Sequence, residues 1–251
     1  MSILADIHCH LVPFVDDGAA TLETALRLLE LEVEQGVCVI CVTPHLRRRM
    51  FETPDEEVRR QFLRLQQAAK QAELPLELYL SREYHCDELF WQHLKEGSIM
   101  PLGNGSTILL EFSGSHTYEQ IADGVRRVQA EGLTPLLAHV ERYGAIRRTP
   151  ENAQRLADAG ALLQCNAECV LGREGFWAKR FVHNLIRSNL VSVIASDAHD
   201  PDQRIPSLGE CARYMSKKFG KDRALMLTST SPRNILNLDH SEKRSVIHAK
   251  D

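Results

Sequence analysis

Seven short apolar runs alternate with longer stretches of helical periodicity, and that alternation restricts the chain to a parallel α/β arrangement. The runs lie near 4–10, 37–43, 76–84, 107–112, 134–139, 161–167 and 191–196. Helical patterns fall near 21–35, 54–73, 86–96, 117–131, 150–159 and 176–188, and two or three more helices follow the last run. In the first of these Thr21 reads as the N-cap, with Leu22, Ala25, Leu26, Leu29 and Val33 on one face. No fixed-period repeat and no low-complexity linker divides the 251 residues. The expectation is one domain over 1–238 and a polar tail over 239–251.

The first run reads Asp6-Ile7-His8-Cys9-His10. Side chains two apart on a strand share a face, so His8 and His10 are delivered to one spot while Ile7 and Cys9 pack. Paired imidazoles suit a metal ion, although an isolated H-x-H pattern is common without one. Later runs strengthen the case. The second ends at His45, the third carries Glu83, the fourth Glu111, the fifth ends at His139, and the seventh leads into Asp197 and His199. The loop after the first run supplies Asp17. Each such residue would interrupt a core strand with a charge or an imidazole, which packing does not explain. The carboxyl ends of strands are where parallel α/β enzymes build their sites.

Nine ligands exceed what one ion takes, since zinc commonly holds about four and larger-coordination ions about six. Two or three ions sharing carboxylates fit the set better. Without cations, carboxylates this close would repel one another. Histidine and carboxylate donors without thiolate suit manganese, iron, zinc or magnesium.

The net charge of −4 argues against a general nucleic-acid binder. No apolar run approaches the roughly 20 residues of a membrane span, and no basic-then-apolar leader is visible. Seven cysteines form no tight framework, which fits reduced thiols in a cytoplasmic protein without membrane insertion.

The segments DIHCHLVPFVDDG, TPH, LLEF, AHVERY and SDAHDPDQR, together with the strand that ends in Glu83, resemble the polymerase-and-histidinol-phosphatase (PHP) superfamily. They are most similar to its bacterial protein-tyrosine phosphatases of capsule and exopolysaccharide systems, over about residues 5 to 210. The resemblance implies a distorted seven-stranded (β/α)7 barrel with a three-ion centre, often manganese, at the C-terminal strand ends. It implies that His8, His10, Glu83 and Asp197 hold one ion, and that Glu83, Glu111 and His139 hold a second, so that Glu83 bridges. Asp17, His45 and His199 would hold the third, with Asp16 as a turn residue or a support from behind. Arg142 and Arg204 match the family's substrate arginines, whose guanidinium forks bind two phosphate oxygens at once. Ser81 stands where the family has glycine.

The implied activity is hydrolysis of phosphotyrosine by direct attack of a metal-activated hydroxide. The implied partner is the tyrosine-rich tail of a membrane-associated bacterial tyrosine kinase. A histidinol-phosphate type of small-molecule phosphatase and a non-catalytic metal-stabilised relative are the alternatives. Self-association is open, with 21–35 and 47–62 as candidate contact segments.

Cys41 and Arg47 also have the cysteine-x5-arginine spacing of thiolate phosphatases. Cys41, however, lies within an apolar strand, and Pro44 removes an amide from the would-be phosphate cradle. A packed core cysteine is the better reading. Cys38 and Cys41 point to opposite faces of one strand and so cannot share a metal or a local disulfide. His85 is placed to support the site from behind. His93, His116, His183, His240 and His248 are expected on the surface or in helix packing. Phe90, Trp91 and Phe176 are at most pocket walls.

Overall fold

The computed structural model describes residues 4–238. Residues 239–251, with His240, His248 and the expected tail, lie outside the described residues. Among the described residues nine short strands form two sheets in which every pairing is parallel. Strands β1 (Leu4–Asp6), β2 (Val37–Val42) and β4 (Glu77–Leu80) make the smaller sheet, in the order β1-β2-β4. The larger has the order β3-β5-β6-β7-β8-β9. Its strands are β3 (His45–Leu46), β5 (Glu83–His85), β6 (Thr107–Glu111), β7 (Thr134–Leu137), β8 (Leu162–Asn166) and β9 (Val193–Ala195). An isolated parallel bridge joins Cys9 to Ala198, carried by His10 N donating to Ala198 O.

The expectation of seven unbroken strands, each followed by a helix, needs correction. The second run divides into β2 and β3 and the third into β4 and β5, with no helix inside either. Pro44 sits at the first break and has no N–H to return a ladder bond. Carbonyls still serve across both breaks, since Ser81 N donates to Val42 O and Glu83 N to Pro44 O. Ser81 itself lies outside the left-handed region, so this backbone does not demand glycine. Its buried hydroxyl donates to Met100 O at 2.7 Å.

Strand alternation sorts the core into two. Ala5, Ile7, Val39, Cys41, Leu109, Leu136, Val193 and Ala195 form an inner cluster with Leu102, Leu236 and Leu238. The intervening residues, such as Ile40, Val42, Ile108, Leu110, Leu137 and Ile194, join the larger cluster with the surrounding helices. In the helix Leu22–Glu34 Thr21 does accept from Thr24 N as the N-cap. Its buried positions, however, are Ala25, Leu28, Leu29 and Glu32, whereas Leu26 and Val33 are half-buried. Among the described residues no helix is long and apolar enough to cross a membrane.

Candidate metal centre

Inner-face alternation carries straight into four of the expected residues. His45 continues Val39 and Cys41, Glu83 pairs in register with Leu109, Glu111 is two beyond Leu109, and Asp197 is two beyond Ala195. His8 and His139 lie out of phase with Ile7 and Ala138, so the chain must break step to turn them inward. β1 has ended before His8, and Cys9 already belongs to the outer cluster. His139 has φ +30 and Asp197 φ +56, left-handed values that cost a residue with a side chain about 1–2 kcal/mol. Such strain is held only where the surroundings demand it. The 11–18 loop returns over His10, with Ala19 N donating to His10 O. A Cβ on Gly18 would lie 2.0 Å from that carbonyl oxygen, so glycine is required there.

All nine expected ligands come together in four overlapping groups. They are His10 with Asp17, His45 and His199; His8 with His10 and Asp197; His8 with Glu83 and His139; and His45 with Glu83 and Glu111. Glu83 lies at the middle, its Oε2 3.3 Å from His8 Nε2, 3.2 Å from His10 Nε2 and 3.0 Å from His45 Nδ1. Its Oε1 is 2.9 Å from His139 Nε2. Asp17 is the outlying member, half exposed and 3.7 Å from both His45 Nε2 and His199 Nε2.

Several ligands are oriented from behind. His10 Nδ1 lies 2.7 Å from Asp16 Oδ2, which also accepts from His45 N. Asp16 therefore supports the site. His8 Nδ1 is 3.1 Å from Gln164 Oε1, and that oxygen accepts from His139 N at 2.6 Å. His199 Nδ1 donates to the Asp197 carbonyl at 2.8 Å. Each partner takes the far nitrogen and leaves the near one to face inward, the usual arrangement behind metal-binding histidines. His85 supports Glu111 Oε2 at 2.8 Å and meets Ser113 Oγ at 3.1 Å. Gln164 and Asn166 were missed by sequence reasoning, although Q-x-N on β8 has the same two-residue spacing as H-x-H.

Both arginines converge on one carboxylate oxygen. Asp197 Oδ2 lies 3.2 Å from Arg142 Nη1 and accepts from Arg204 Nη2 at 2.8 Å and from Asn166 Nδ2 at 2.7 Å. Arg142 Nη2 also donates to Glu174. The arginine side chains remain 40% and 33% exposed, while Asp197 is buried.

The donors fit cations better than they fit one another. Glu83 Oε2, His45 Nδ1, His139 Nδ1 and His199 Nε2 are buried without a hydrogen-bond partner, and such groups are costly unless something satisfies them. His8 Nε2 and His10 Nε2 face each other at 3.4 Å. Burial opposes charge on His8, yet Glu83 and Asp197 outweigh it and push this imidazole up to about 9. His45 likewise rises to about 9 through Glu83 against burial. Burial and the neighbouring His10 drive His199 down to about 2. Burial would raise Glu83, but His8, His45 and the other imidazoles hold it well below the carboxylate range.

Residues 4–237 match the family model described as capsular polysaccharide synthesis, CpsB/CapC. The chain belongs to the CpsB/CapC family. Its similar relatives include the tyrosine-protein phosphatase CpsB of Streptococcus agalactiae, 34% identical over 93% of this chain and 98% of that one. The tyrosine-protein phosphatase YwqE of Bacillus subtilis is 28% identical over 91% of this chain and 90% of that one. One solved chain from the crystal structures of YwqE and of Streptococcus pneumoniae CpsB superposes with TM-score 0.86 at 28% identity, covering 93% of this chain and 94% of the other. Those proteins are described as metal-dependent tyrosine phosphatases. An Escherichia coli phosphotriesterase homology protein shares the fold alone, with TM-score 0.62 and 13% identity.

The remaining expectations divide in this CpsB/CapC member. Cys41 is wholly buried and its thiol is pushed up to about 12 by burial, so the packed reading holds. All seven cysteines are free. Phe90 is core, Trp91 lies under the Arg127 guanidinium, and Phe176 is 69% exposed.

Proposed function

We propose that this chain is a metal-dependent protein-tyrosine phosphatase whose site is the nine-residue cluster with Arg142 and Arg204. The observation that carries the reading is the set of buried, unpartnered ligand atoms around Glu83, set directly against two arginines that meet at Asp197. The domain is taken as 1–238, with the site at the carboxyl ends of a seven-run (β/α)7 barrel closed through Cys9 and Ala198.

His8, His10, Asp17, His45, Glu83, Glu111, His139, Asp197 and His199 would hold three divalent ions, manganese first, with iron, zinc or magnesium as alternatives. Such ions would neutralise phosphoryl oxygens and supply a water acidic enough to attack the ester directly, with no phosphoenzyme. Each guanidinium keeps donors beyond those used on Asp197, so Arg142 and Arg204 bind phosphate oxygens beside that carboxylate. A thiolate route has no support, because Cys41 is buried with a raised pKa.

The proposed physiological substrate is the tyrosine-rich tail of a membrane-associated bacterial tyrosine kinase, met from the cytoplasm. Self-association is compatible with this role. The test is to strip the protein with a chelator, restore manganese, zinc, iron or magnesium, and compare phosphotyrosine peptides with phosphoserine peptides and histidinol phosphate. Metal-restored release from phosphotyrosine is expected. A strong preference for histidinol phosphate would reassign the chain to small-molecule chemistry, and metal uptake without turnover would mark it as a non-catalytic relative.

A further inference from the structure

We propose that the turn from Arg47 to Phe51 is an accessory anion subsite that binds a negatively charged group of the peptide next to the phosphotyrosine. The inference rests on the phosphatase reading above and concerns which peptides that site prefers.

Arg47, Arg48 and Arg49 follow His45 directly beyond β3. The chain reverses there. Arg47 N donates to Phe51 O, Phe51 N to Arg47 O, and Arg49 takes a left-handed φ of +62. Phe51 stacks on the His45 ring at 5.0 Å and 11°, so the turn is fastened to a candidate ligand. Its flanks are fastened too. Thr53 Oγ donates to Val15 O in the loop that carries Asp17, and the buried Arg82 guanidinium donates to Thr53 O and His45 O. Arg48 N donates to Asp87 Oδ2. The arginines are thus displayed on a fixed backbone.

Local carboxylates do not neutralise all three. Arg48 pairs with Glu88, and Glu52 accepts from the Arg49 amide. Asp87 spends Oδ1 on Leu89 N and Phe90 N at a helix start. The guanidiniums of Arg47 and Arg49 have no carboxylate partner among the described residues. With His85 and Asp87 the three arginines line a shallow recess of about 300 Å³. His85 lines the recess and also holds Glu111, so one side chain belongs to both recess and metal centre. In a chain of net charge −4 the recess lining itself, three arginines against Asp87, carries a formal +2, offset at its rim by Glu88 on Arg48 and Glu52 at the Arg49 amide, and the Arg47 and Arg49 guanidiniums keep their donors unused by carboxylates. A carboxylate, or a second phosphate, on a neighbouring residue of an extended peptide suits it.

The test measures kcat/KM of the metal-loaded full chain on three phosphotyrosine peptides that differ only beside the target: neutral, carboxylate-rich, and doubly phosphorylated. Exposed charge pairs of this kind give roughly two- to fivefold preferences. The wild type should favour one or both anionic peptides by that factor, expressed in KM. R47Q/R49Q should bring the ratio close to one, while R59Q/R60Q on the helix Asp55–Gln71 should keep it. The single R49Q, at an exposed position, should lower the ratio part-way and serves if the double variant misfolds. Equal turnover of all three peptides by the wild type, or a ratio unchanged in R47Q/R49Q, or one lost equally in R59Q/R60Q, overturns the subsite alone. No hydrolysis of any phosphotyrosine peptide removes the phosphatase reading and the subsite with it.

Discussion

Glu83 and Glu32 are both wholly buried glutamates, and their surroundings could hardly differ more. Glu83 is ringed by four imidazoles and is held well below the carboxylate range. Glu32 lies beside Asp6, and among the described residues no cationic group offsets it. Burial, and then the Asp6 charge, drives it well above that range. Asp6 is raised by burial as well, against the hydrogen bonds it accepts from Ser196 and the His8 amide. The contrast teaches that burial does not set the charge of an acid; its neighbours do. Both keep carboxylate oxygens without a hydrogen-bond partner, so what separates them is charge: the imidazoles around Glu83 favour its ionised form, which suits cations. Burial and the neighbouring Asp6 push Glu32 the other way, toward its neutral form.

The largest effect should come from removing the cations or the acid that gathers them. Chelation, or Glu83→Gln, should lower kcat/KM on a phosphotyrosine peptide by roughly 10³-fold or more. It should also abolish the rise in Tm on adding manganese. A Glu83→Gln protein that keeps both would break the comparison at its first arm.

Next in size are the arginines. Arg142→Ala and Arg204→Ala should each cost about 10²- to 10³-fold in kcat/KM, the range for deleting one donor to a developing oxyanion. Metal uptake, read by calorimetry, should persist, because neither side chain is among the nine ligands.

The pH response sharpens the contrast. His8 and His45, raised to about 9 in the folded chain, lend stability that is complete below about 6.5 and lost as pH climbs through 9. The Tm of chelated protein should therefore fall between pH 6.5 and 9. The manganese-loaded protein should hold steady there, because cations replace the protons. A flat profile for the chelated form would contradict the electrostatics described.

Glu32→Gln is the milder counterpart. A raised carboxyl loses its stabilising contribution as pH rises above its unfolded value, and glutamine does not titrate. At pH 8 the variant should melt about 2–4 °C higher than wild type, equivalent to about 1 kcal/mol. At pH 5 the gap should shrink, with turnover little changed. The smallest effect on activity belongs to Cys41→Ser, expected to change turnover less than about twofold while costing about 1–3 kcal/mol for a buried hydroxyl. Loss of turnover in a folded Cys41→Ser protein would revive the thiolate route.

Much of this was legible in the chain itself because parallel strands place their last residues on one rim. A histidine or acid closing successive apolar runs could be read as one site without knowing any distance, and all nine did converge. Position at the end of an apolar run located His45, Glu83, Glu111 and Asp197, and the structure places them in phase with the inner cluster. Alternation was the ground for pairing His8 with His10, yet Ile7 joins the inner cluster and Cys9 the outer, so the inward turn of His8, like that of His139, depends on a break in that periodicity. Glu32 was hidden for a related reason. It follows Leu29 on a helix whose other glutamates look the same, and only the packing of that helix against β2 and the helix Asp55–Gln71, which brings Glu32 to Asp6, buries it.

Local pattern thus determined the order of elements, the strand-end ligands and the likeness to a family, because periodicity and residue type are properties of neighbours along the chain. Tertiary structure alone decided which nitrogen of each histidine is free, that Asp16 supports from behind, and that both arginines meet at Asp197. Those facts depend on contacts between residues as far apart as His8 and Gln164 or Asp6 and Ser196. The free energy of a buried charge is set by the groups folded around it, and those groups come from every part of the chain.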